Sequence, residues 1–342
     1  MSGFKALKDK EKQEESDIAK ASKDWKKSLE KDLGPSPKLE KNAPLEHMHG
    51  NHNPMYPEKK KTSEWFAEEI APITGEFTGM VGDDGTCKTA VVFDSIPKGQ
   101  CCLVVDFDGG GAKLRDSFYA DRRSEFKCQN PWVMQDAART AYNYPATHDK
   151  VMAIGRRALE WAQAQNEDGY EGEHLHTVLV TAVDLWDSVA SACMFIEDLG
   201  TAPDGIGAKI EPHQKVGMRF NWQIRSTRFH QLTSLCRELT RHGVNVYYET
   251  HWKYEQTKEG TLTGKKMPRW EKQTANYLHT IIEMSSDKTR DEEGRLTGET
   301  RYEATFTKSR SHPNLLNKTR LVMTTYDDKD HKWHGLPELK RE

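Results

Sequence analysis

After residue 63, the pattern of apolar and polar positions predicts strands that alternate with helices, and this pattern accounts for most of the predicted elements. Short apolar runs between turn residues predict buried strands, whereas apolar residues spaced three and four apart predict helices. The predicted strands are 77–81, 101–106, 177–183 and 244–250. The predicted helices are 89–95, 151–165 and 227–242. Strands that alternate in this way with helices are typical of a mostly parallel sheet.

The C-terminal part has a different pattern, in which short strands follow one another without helices. Strands are predicted at 280–284, 302–307 and 320–325, with a charged turn around Glu293-Gly294 between the first two. Consecutive strands joined by a turn pair in antiparallel fashion. The sequence therefore predicts an α/β fold with helices on both faces of a mostly parallel sheet and an antiparallel C-terminal extension.

Residues 1–62 form a separate, lysine-rich segment that contains no arginine. Ile18, Ala21, Trp25 and Leu29 share one helical face, and the Gly-Pro-Ser-Pro that follows ends that helix. The stripe docks on the core or on another subunit, or the arm is mostly solvated. We expect a partly helical or disordered arm at 1–62, a core at 63–330 and a tail at 331–342.

Charge and composition narrow the possible partners. The 342 residues include 50 Lys+Arg and 53 Asp+Glu, so the net charge of −3 excludes a uniformly basic coat for nucleic acid and leaves only local patches. No apolar run reaches the ~20 residues of a membrane helix, and the N-terminus lacks a signal-peptide pattern. Six cysteines without a CxxC pair fit a reducing compartment. We expect a cytoplasmic protein, in the host cytoplasm if it is viral.

Three histidines lie close together in the Gly- and Asn-rich stretch HMHGNHNPM. They are His47, His49 and His52. No cysteine lies nearby and the spacing matches no zinc pattern, so we expect a loop without a metal ion.

A phosphate-binding pattern follows the first predicted strand and precedes the first predicted helix. It reads Gly82-Asp83-Asp84-Gly85-Thr86-Cys87-Lys88-Thr89, and it matches GxxxxGK[ST] except for one position. In such a loop the backbone N–H groups surround phosphates, the lysine reaches the β- and γ-phosphates, and the hydroxyl binds Mg²⁺. The departure is Cys87, whose Cβ crowds a position that favours glycine.

The motifs that follow the loop occur in a recognisable order. They are CCLVVDFDGGG, TVLVTAVDLWDS, VNVYYETHWK and FTKSRSHP. In order and spacing the chain resembles the RecA/KaiC superfamily of P-loop ATPases over roughly residues 70–325, and it looks most like the small bacteriophage RecA-like ATPases of single-strand annealing and recombination. The resemblance implies a RecA-type core, ATP with Mg²⁺, single-stranded DNA as partner, and self-assembly into a ring or filament with nucleotide at the subunit interfaces.

The resemblance also implies roles for individual residues. Asp108 matches the acid that polarises the attacking water, although the family more often has Glu there. Lys308 and Arg310 match basic residues that reach the nucleotide of the neighbouring subunit. Thr250 and His251 match the region that senses the γ-phosphate.

The magnesium-binding acid has two possible registers. Asp184 is the first acid after the strand TVLVTAV, and it is preferred because Mg²⁺ needs oxygen ligands. In the other register Val180 occupies the aspartate place and Thr181 the following serine place, and the site is then degenerate.

Two basic segments with aromatic residues are candidates for DNA contacts, because single-strand binders combine cations with stacking rings. They span 215–228 and 258–277 and are expected to be loops. The residues singled out are Arg219, Trp222, Arg225, Lys265, Lys266, Arg269 and Trp270.

The sequence leaves three functional hypotheses. The first is an ATP-dependent RecA-like ATPase that assembles on single-stranded DNA for recombination or annealing, with DNA-stimulated hydrolysis. The second is a degenerate P-loop protein that binds or anneals DNA and uses nucleotide only as an assembly switch. The third is a KaiC-like signalling or packaging motor ATPase.

Overall fold

A nine-stranded sheet organises the structure, a computed structural model that describes residues 74–135, 141–199, 219–256, 261–326 and 330–340. The strand order is β11-β10-β9-β8-β1-β5-β4-β2-β3. The strands of this sheet are β1 Phe77–Gly82, β2 Cys101–Val105, β3 Phe126–Gln129, β4 Leu175–Val180, β5 Asn245–Thr250, β8 Thr280–Arg290, β9 Leu296–Ser309, β10 Thr319–Tyr326 and β11 Asp330–Trp333. A separate two-stranded hairpin consists of β6 Trp252–Gln256 and β7 Leu262–Pro268.

The pairing directions divide the large sheet into two parts. Strands β8, β1, β5, β4, β2 and β3 are parallel, and β9, β10 and β11 continue the sheet in antiparallel pairs. The predicted fold class, a mostly parallel sheet with an antiparallel C-terminal extension, is confirmed. The predicted hairpin is also present, because β8 and β9 pair along most of their length.

Six helices connect or flank the strands within the described ranges. They are α1 Lys88–Ser95, α2 Gly110–Phe118, α3 Tyr144–Ala164, α4 Val183–Leu199, α5 Arg219–Arg241 and α6 Thr274–Tyr277. Short 3₁₀ turns lie at Ala120–Glu125, Pro313–Leu315 and Pro337–Leu339. Helices α2 and α4 and strand β3 were not predicted from the sequence.

Alternate residues of the central strands enter two different hydrophobic clusters, one on each face of the sheet. Phe77, Val81 and Tyr248 face the cluster that contains α3, α4 and α5 residues such as Trp186 and Phe229. On the other face, the neighbouring strand residues pack with α1 and with side chains from the C-terminal extension. This period of two explains why helices cover both faces.

Two predicted boundaries differ from the observed ones for identifiable reasons. The strand predicted at 177–183 ends at Val180, because Ala182 has a left-handed backbone (φ 46°) and α4 begins at Val183. Helix α3 begins seven residues before the predicted 151, at Tyr144, where the side chain of Asn143 accepts a hydrogen bond from the Ala146 N–H and Pro145 occupies the first turn.

The predicted arm, including its histidines and the boundary at 63, lies outside the described residues. Among the helices that are described, none is long and apolar enough to cross a bilayer.

Candidate phosphate-binding site

The carboxyl ends of four parallel strands meet at one edge of the sheet. Strand β1 lies between β5 and β8, and β4 and β2 follow beyond β5. In open α/β sheets this edge is where ligands bind. The β1–α1 loop, the residues after β2, the end of β4 and the end of β5 therefore come together.

The β1–α1 loop has the backbone that its sequence pattern predicts. A Cβ on Gly82 would lie 2.6 Å from the Met284 carbonyl oxygen, so only glycine fits there. Gly85 has a φ of +72°. Cys87, directly before α1, has a φ of 64° and is therefore a side-chain-bearing residue in a conformation that favours glycine. The amide groups at the start of α1 remain available at the N-terminal end of that helix, which attracts anions.

Lys88 is buried and its ammonium lies inside the loop. Its Nζ donates hydrogen bonds to the carbonyl oxygens of Gly82 (3.0 Å) and Asp83 (2.9 Å). Burial lowers the pKa of Lys88, and the carboxylates of Glu249, Asp84 and Asp108 act in the opposite direction. The side chains of Asp83 and Asp84 are exposed, and the Asp84 carboxylate lies 2.8 Å from His251 at the cavity wall.

Glu249 is a site residue that the sequence reasoning missed. It precedes Thr250 at the end of β5, is buried, and its Oε2 accepts a hydrogen bond of 2.8 Å from the Thr89 hydroxyl. Its Oε1 is buried and has no hydrogen-bond partner among the described residues. Burial raises the pKa of Glu249 to about 7, although Lys88 and the Thr89 hydrogen bond lower it. An acid inside the otherwise apolar run VNVYYET was the available signal.

Two aspartates follow β2 and have different surroundings. Asp106 is buried and accepts hydrogen bonds from the N–H groups of Gly111 (3.2 Å) and Ala112 (2.8 Å) at the start of α2. Burial raises the pKa of Asp106 despite these bonds. Asp108 is exposed, and its Oδ1 accepts a 3.0 Å hydrogen bond from the hydroxyl of Thr181 at the end of β4. The Asp106 carboxylate is thus hydrogen-bonded to the start of α2, whereas the Asp108 carboxylate is accessible to solvent.

These residues surround a single cavity of about 300 Å³. Its wall includes the loop from Asp84 to Ala90 together with Asp108, Gly110, Leu114, Ala182, Glu249 and His251. The structure therefore brings together the phosphate loop, the predicted water-polarising acid Asp108 and the predicted sensor residue His251. No group of three or more His, Cys, Asp or Glu side chains in the described ranges is arranged to hold a metal ion by itself.

Asp184, the preferred magnesium ligand, is not at the Thr89 hydroxyl. It lies in the first turn of α4, and its oxygens are 3.2 Å from His251 Nδ1 and 3.4 Å from Arg269 Nη1. The hydrogen bond that the Asp184 carboxylate accepts from the His251 ring is the main cause that raises the pKa of His251. The other ring nitrogen of His251 is 2.8 Å from Asp84. The acid in contact with Thr89 is Glu249.

Lys308 and Arg310 lie at the opposite edge of the sheet from the phosphate loop. Ser309 pairs with Thr280, and Thr280 pairs with Thr78 near the start of β1. At about 3.3 Å per residue the length of β1 separates this end from the loop by roughly 15 Å. Lys308 Nζ donates to the Ala275 carbonyl oxygen, and the Arg310 side chain is exposed.

The two predicted DNA-binding loops require a correction, because their described parts are regular structure. The segment 215–228 enters α5 at Arg219, and the segment 258–277 contains β7 and α6. Arg219 and Trp222 lie in the first turn of α5, where the side chains are not described. Arg225 is half-buried between helices, 2.5 Å from Asp187 on α4.

Trp270 also requires a correction, because it is a core residue. It is 5% exposed and belongs to the cluster on the α3–α5 face of the sheet. A Cβ on Gly79 would collide with its ring, at 2.7 Å, which shows how closely the ring packs on β1. A base therefore has no free face of Trp270 to stack on. Lys265, Lys266 and Arg269 are exposed on or directly after β7.

Comparison with known proteins identifies no family for this chain. No family model and no curated protein matches the chain. Among solved structures, the chain is similar to a KaiC-like protein from the hyperthermophilic archaeon Pyrococcus horikoshii OT3, at 11% sequence identity and a TM-score of 0.37. The match covers 72% of this chain and 85% of that one.

Proposed function

We propose that this protein is a P-loop ATPase that binds ATP with Mg²⁺ at the carboxyl edge of its sheet. The observation that carries the proposal is the β1–α1 loop, in which Lys88 and Thr89 line one cavity with Asp108 and Glu249. Amide groups, an ammonium and a hydroxyl favour a polyanion, and an accessible carboxylate is the group that hydrolysis requires.

Each residue has a task that its position supports. The loop amides and Lys88 bind and orient the phosphates, and Lys88 neutralises charge that develops in the transition state. Asp108 accepts a hydrogen bond from the attacking water and aligns that water with the γ-phosphate. The Thr181 hydroxyl donates a hydrogen bond to the Asp108 carboxylate and fixes its position. Thr89 and the unpartnered oxygen of Glu249 fit a hydrated cation. Mg²⁺ bound there would offset the negative charge of the phosphates.

A second cavity beside the first supports a nucleotide rather than a smaller phosphate compound. It has a volume of about 490 Å³ and shares Cys87, Ala90 and Leu114 with the phosphate cavity. Its aromatic wall consists of Phe118, Tyr119, Tyr302 and Trp333. Aromatic and apolar walls of this kind suit the flat surface of a base.

The proposal is tested by phosphate release from ATP with Lys88→Ala. We expect turnover to fall on the order of 100-fold or more, because transition-state charge loses its main cation. Lys98→Ala is the matched control, since Lys98 is an exposed lysine near the other end of α1. Undiminished turnover by folded Lys88→Ala protein would refute the proposal.

The switch hypothesis, in which nucleotide binds without turnover, is favoured by Cys87 and by the absence of an acid at the end of β4. The same assay separates it from the ATPase, provided that nucleotide binding is measured in parallel. Wild-type protein that binds ATP and releases no phosphate, with or without single-stranded DNA, would establish the switch.

We further propose that the protein assembles with itself and that Lys308 and Arg310 act on the neighbouring subunit's nucleotide. Their place at the far edge of the sheet supports action in trans, because they do not reach their own phosphate loop. Arg310→Ala is expected to bind ATP and hydrolyse it poorly. Mixing it with Lys88→Ala protein should restore part of the turnover, whereas mixed assemblies without any rescue would contradict the role in trans.

Single-stranded DNA is the proposed partner, and the β6–β7 hairpin is the surface that favours it. Tyr254 is 52% exposed and lies directly opposite Lys266, so their side chains share one face. Lys266 Nζ also lies 3.1 Å from Asp83, which links the hairpin to the phosphate loop. An exposed ring beside exposed lysines is suited to stacking a base and binding its phosphate.

The DNA proposal is tested by titrating a labelled single strand at several salt concentrations. Changing Lys265 and Lys266 to alanine should flatten the log–log salt slope by about 0.7 per lost phosphate contact. Tyr254→Ala should cost about 1–3 kcal/mol with the slope unchanged. Lys332→Ala, on the far strand β11, is the control. Absence of single-strand binding by the wild type would favour a KaiC-like signalling or packaging ATPase.

A further inference from the structure

The end of β4 lacks the carboxylate that would face a magnesium ion. The strand ends at Val180, which is buried, and Thr181 follows with its hydroxyl bound to Asp108. Asp184, the next acid along the chain, is turned to His251 and Arg269. Its carboxylate therefore already has two partners in the protein itself, an imidazole and a guanidinium.

The neighbouring strand supplies a carboxylate at the required place. Glu249 ends up beside the loop because Met80 of β1 pairs with it in the parallel register. One of its oxygens is bound to the Thr89 hydroxyl at 2.8 Å, and the other is buried without a partner among the described residues. A buried acceptor that nothing satisfies is costly, and its cost is recovered when a cation or an ordered water reaches it.

We infer that Glu249 has taken over the carboxylate function of the magnesium site, so that Thr89 and Glu249 together face the ion that accompanies the nucleotide. The inference rests on the proposed function and names the residue through which its cofactor is held. Mg²⁺ in nucleotide sites is bound through few carboxylates plus phosphates and water, so two protein oxygens are enough.

The test measures binding of a non-hydrolysable ATP analogue by calorimetry, in EDTA and in saturating Mg²⁺. For Glu249→Gln we expect the apparent Mg²⁺ affinity of the complex to fall about 10–100-fold, while binding in EDTA is unchanged. The spectrum of Mn²⁺, used in place of Mg²⁺, provides a second readout that needs no turnover. In Glu249→Gln this spectrum should lose the signal of Mn²⁺ that is bound to the protein.

Glu283→Gln is the matched control, because Glu283 lies on β8, the other neighbour of β1, and burial also raises its pKa. It should keep the full magnesium response. Asp184→Asn tests the competing register, and loss of the response in this variant rather than in Glu249→Gln would overturn the inference. An equal loss with and without Mg²⁺ in Glu249→Gln would also overturn it, because Glu249 would then only shape the loop.

Two outcomes separate the inference from the proposed function. Wild-type protein that binds the analogue in neither condition would refute the proposed function and the inference with it. Wild-type protein that responds to Mg²⁺ as strongly as Glu249→Gln would refute the inference alone. Should Glu249→Gln fail to fold, Glu249→Asp replaces it, with a weakened response expected and an unchanged response counting against the inference.

Discussion

Asp184 and Glu249 are both buried at the carboxyl edge of the sheet, but their hydrogen-bond partners differ. Asp184 faces His251 and Arg269, at 3.2 Å and 3.4 Å. Glu249 accepts one hydrogen bond, from Thr89, and leaves its second oxygen without a partner in the described part of the chain. We name these the Asp184 corner (Asp184, His251, Arg269) and the Glu249 corner (Glu249, Thr89, Lys88).

The difference shows how a buried charge can be assigned to structure or to function. A buried charge that the protein neutralises stabilises the fold only modestly, but its loss leaves the partners uncompensated. Burial raises the pKa of Glu249 even though Lys88 lies nearby, so an ionised Glu249 is a cost to the fold. Costs of this kind concentrate at functional sites. The Asp184 corner therefore holds the edge together, and the Glu249 corner is available to a ligand.

The largest effect is expected for Trp270→Ala, which breaks the support of the Asp184 corner. Trp270 follows Arg269 and is packed in the core, and the Arg269 backbone is bonded to His251 and Thr250. Removing a buried Trp costs about 3–5 kcal/mol of unfolding free energy. Urea unfolding measures it, with Tyr254→Ala as the exposed aromatic control. A loss below about 1 kcal/mol would show that the ring is not part of the core.

Glu249→Gln sharpens the comparison through its pH dependence. Burial raises the pKa of Glu249 from 4.5 in the unfolded reference to about 7. An acid with a raised pKa destabilises the fold increasingly as pH rises from the unfolded to the folded pKa, and by a constant amount above it. The glutamine amide does not titrate, so the unfolding free energy of Glu249→Gln should rise above that of the wild type as pH rises between the two pKa values. At pH 8 the difference should reach up to about 3 kcal/mol.

The measurement is urea unfolding in magnesium-free buffer at about pH 5 and about pH 8. Glu283→Gln serves as the control, since Glu283 is less buried and its gain should be smaller. A variant that is less stable than the wild type at pH 8 would mean that the Glu249 charge is compensated after all, and the two corners would not differ.

Asp184→Asn should lower the unfolding free energy, the opposite of Glu249→Gln, and by a smaller amount. Removing one member of a fully buried pair costs about 3–5 kcal/mol, but here the two partners, His251 and Arg269, are 27% and 49% exposed and water can solvate them. We therefore expect a loss of about 1–2 kcal/mol at neutral pH. Asp121→Asn, an exposed acid of a 3₁₀ turn, is the control. A gain in stability would remove the distinction between the corners.

The pattern of apolar positions was sufficient for the buried parallel strands β1, β2, β4 and β5, but not for β3, which is mostly only half-buried. It was insufficient for α4, whose start depends on the left-handed Ala182 rather than on any periodicity. It was also insufficient for β7, because a mostly exposed strand with two adjacent lysines resembles a solvated loop. Solvent exposure of both faces removes the contrast on which the period of two depends.

The site was predictable where a motif fixes it and unpredictable where a strand pairing does. Lys88, Thr89 and Asp108 follow strands at positions that the sequence itself marks. Glu249 meets Thr89 only because β5 pairs with β1, a neighbour 160 residues away along the chain. The burial of Trp270 has the same cause, because its ring packs on a glycine of β1. Such contacts depend on strand order, which local spacing does not encode.

The smallest effect concerns a feature that both corners share. In each corner, one residue is preceded by a non-glycine residue with a left-handed backbone. Cys87, with a φ of 64°, directly precedes Lys88, and Ala182, with a φ of 46°, lies two residues before Asp184. This conformation costs a non-glycine residue about 1–2 kcal/mol, and glycine loses about half of that benefit through its greater unfolded entropy. Cys87→Gly should therefore stabilise the fold by about 1 kcal/mol, measured by thermal or urea unfolding.

Cys87→Ala is the matched control for that gain, because it removes the thiol and keeps the strained backbone. Burial raises the pKa of Cys87 to about 11, so the thiol is protonated at neutral pH. Cys87→Gly should also preserve or raise ATP turnover, because it frees the space beside Lys88. Ala182→Gly should gain less than Cys87→Gly, since it also gives up a buried methyl group. If Cys87→Gly and Cys87→Ala are equally stable, the loop is not strained at this position, and the fold tolerates cysteine there at no cost.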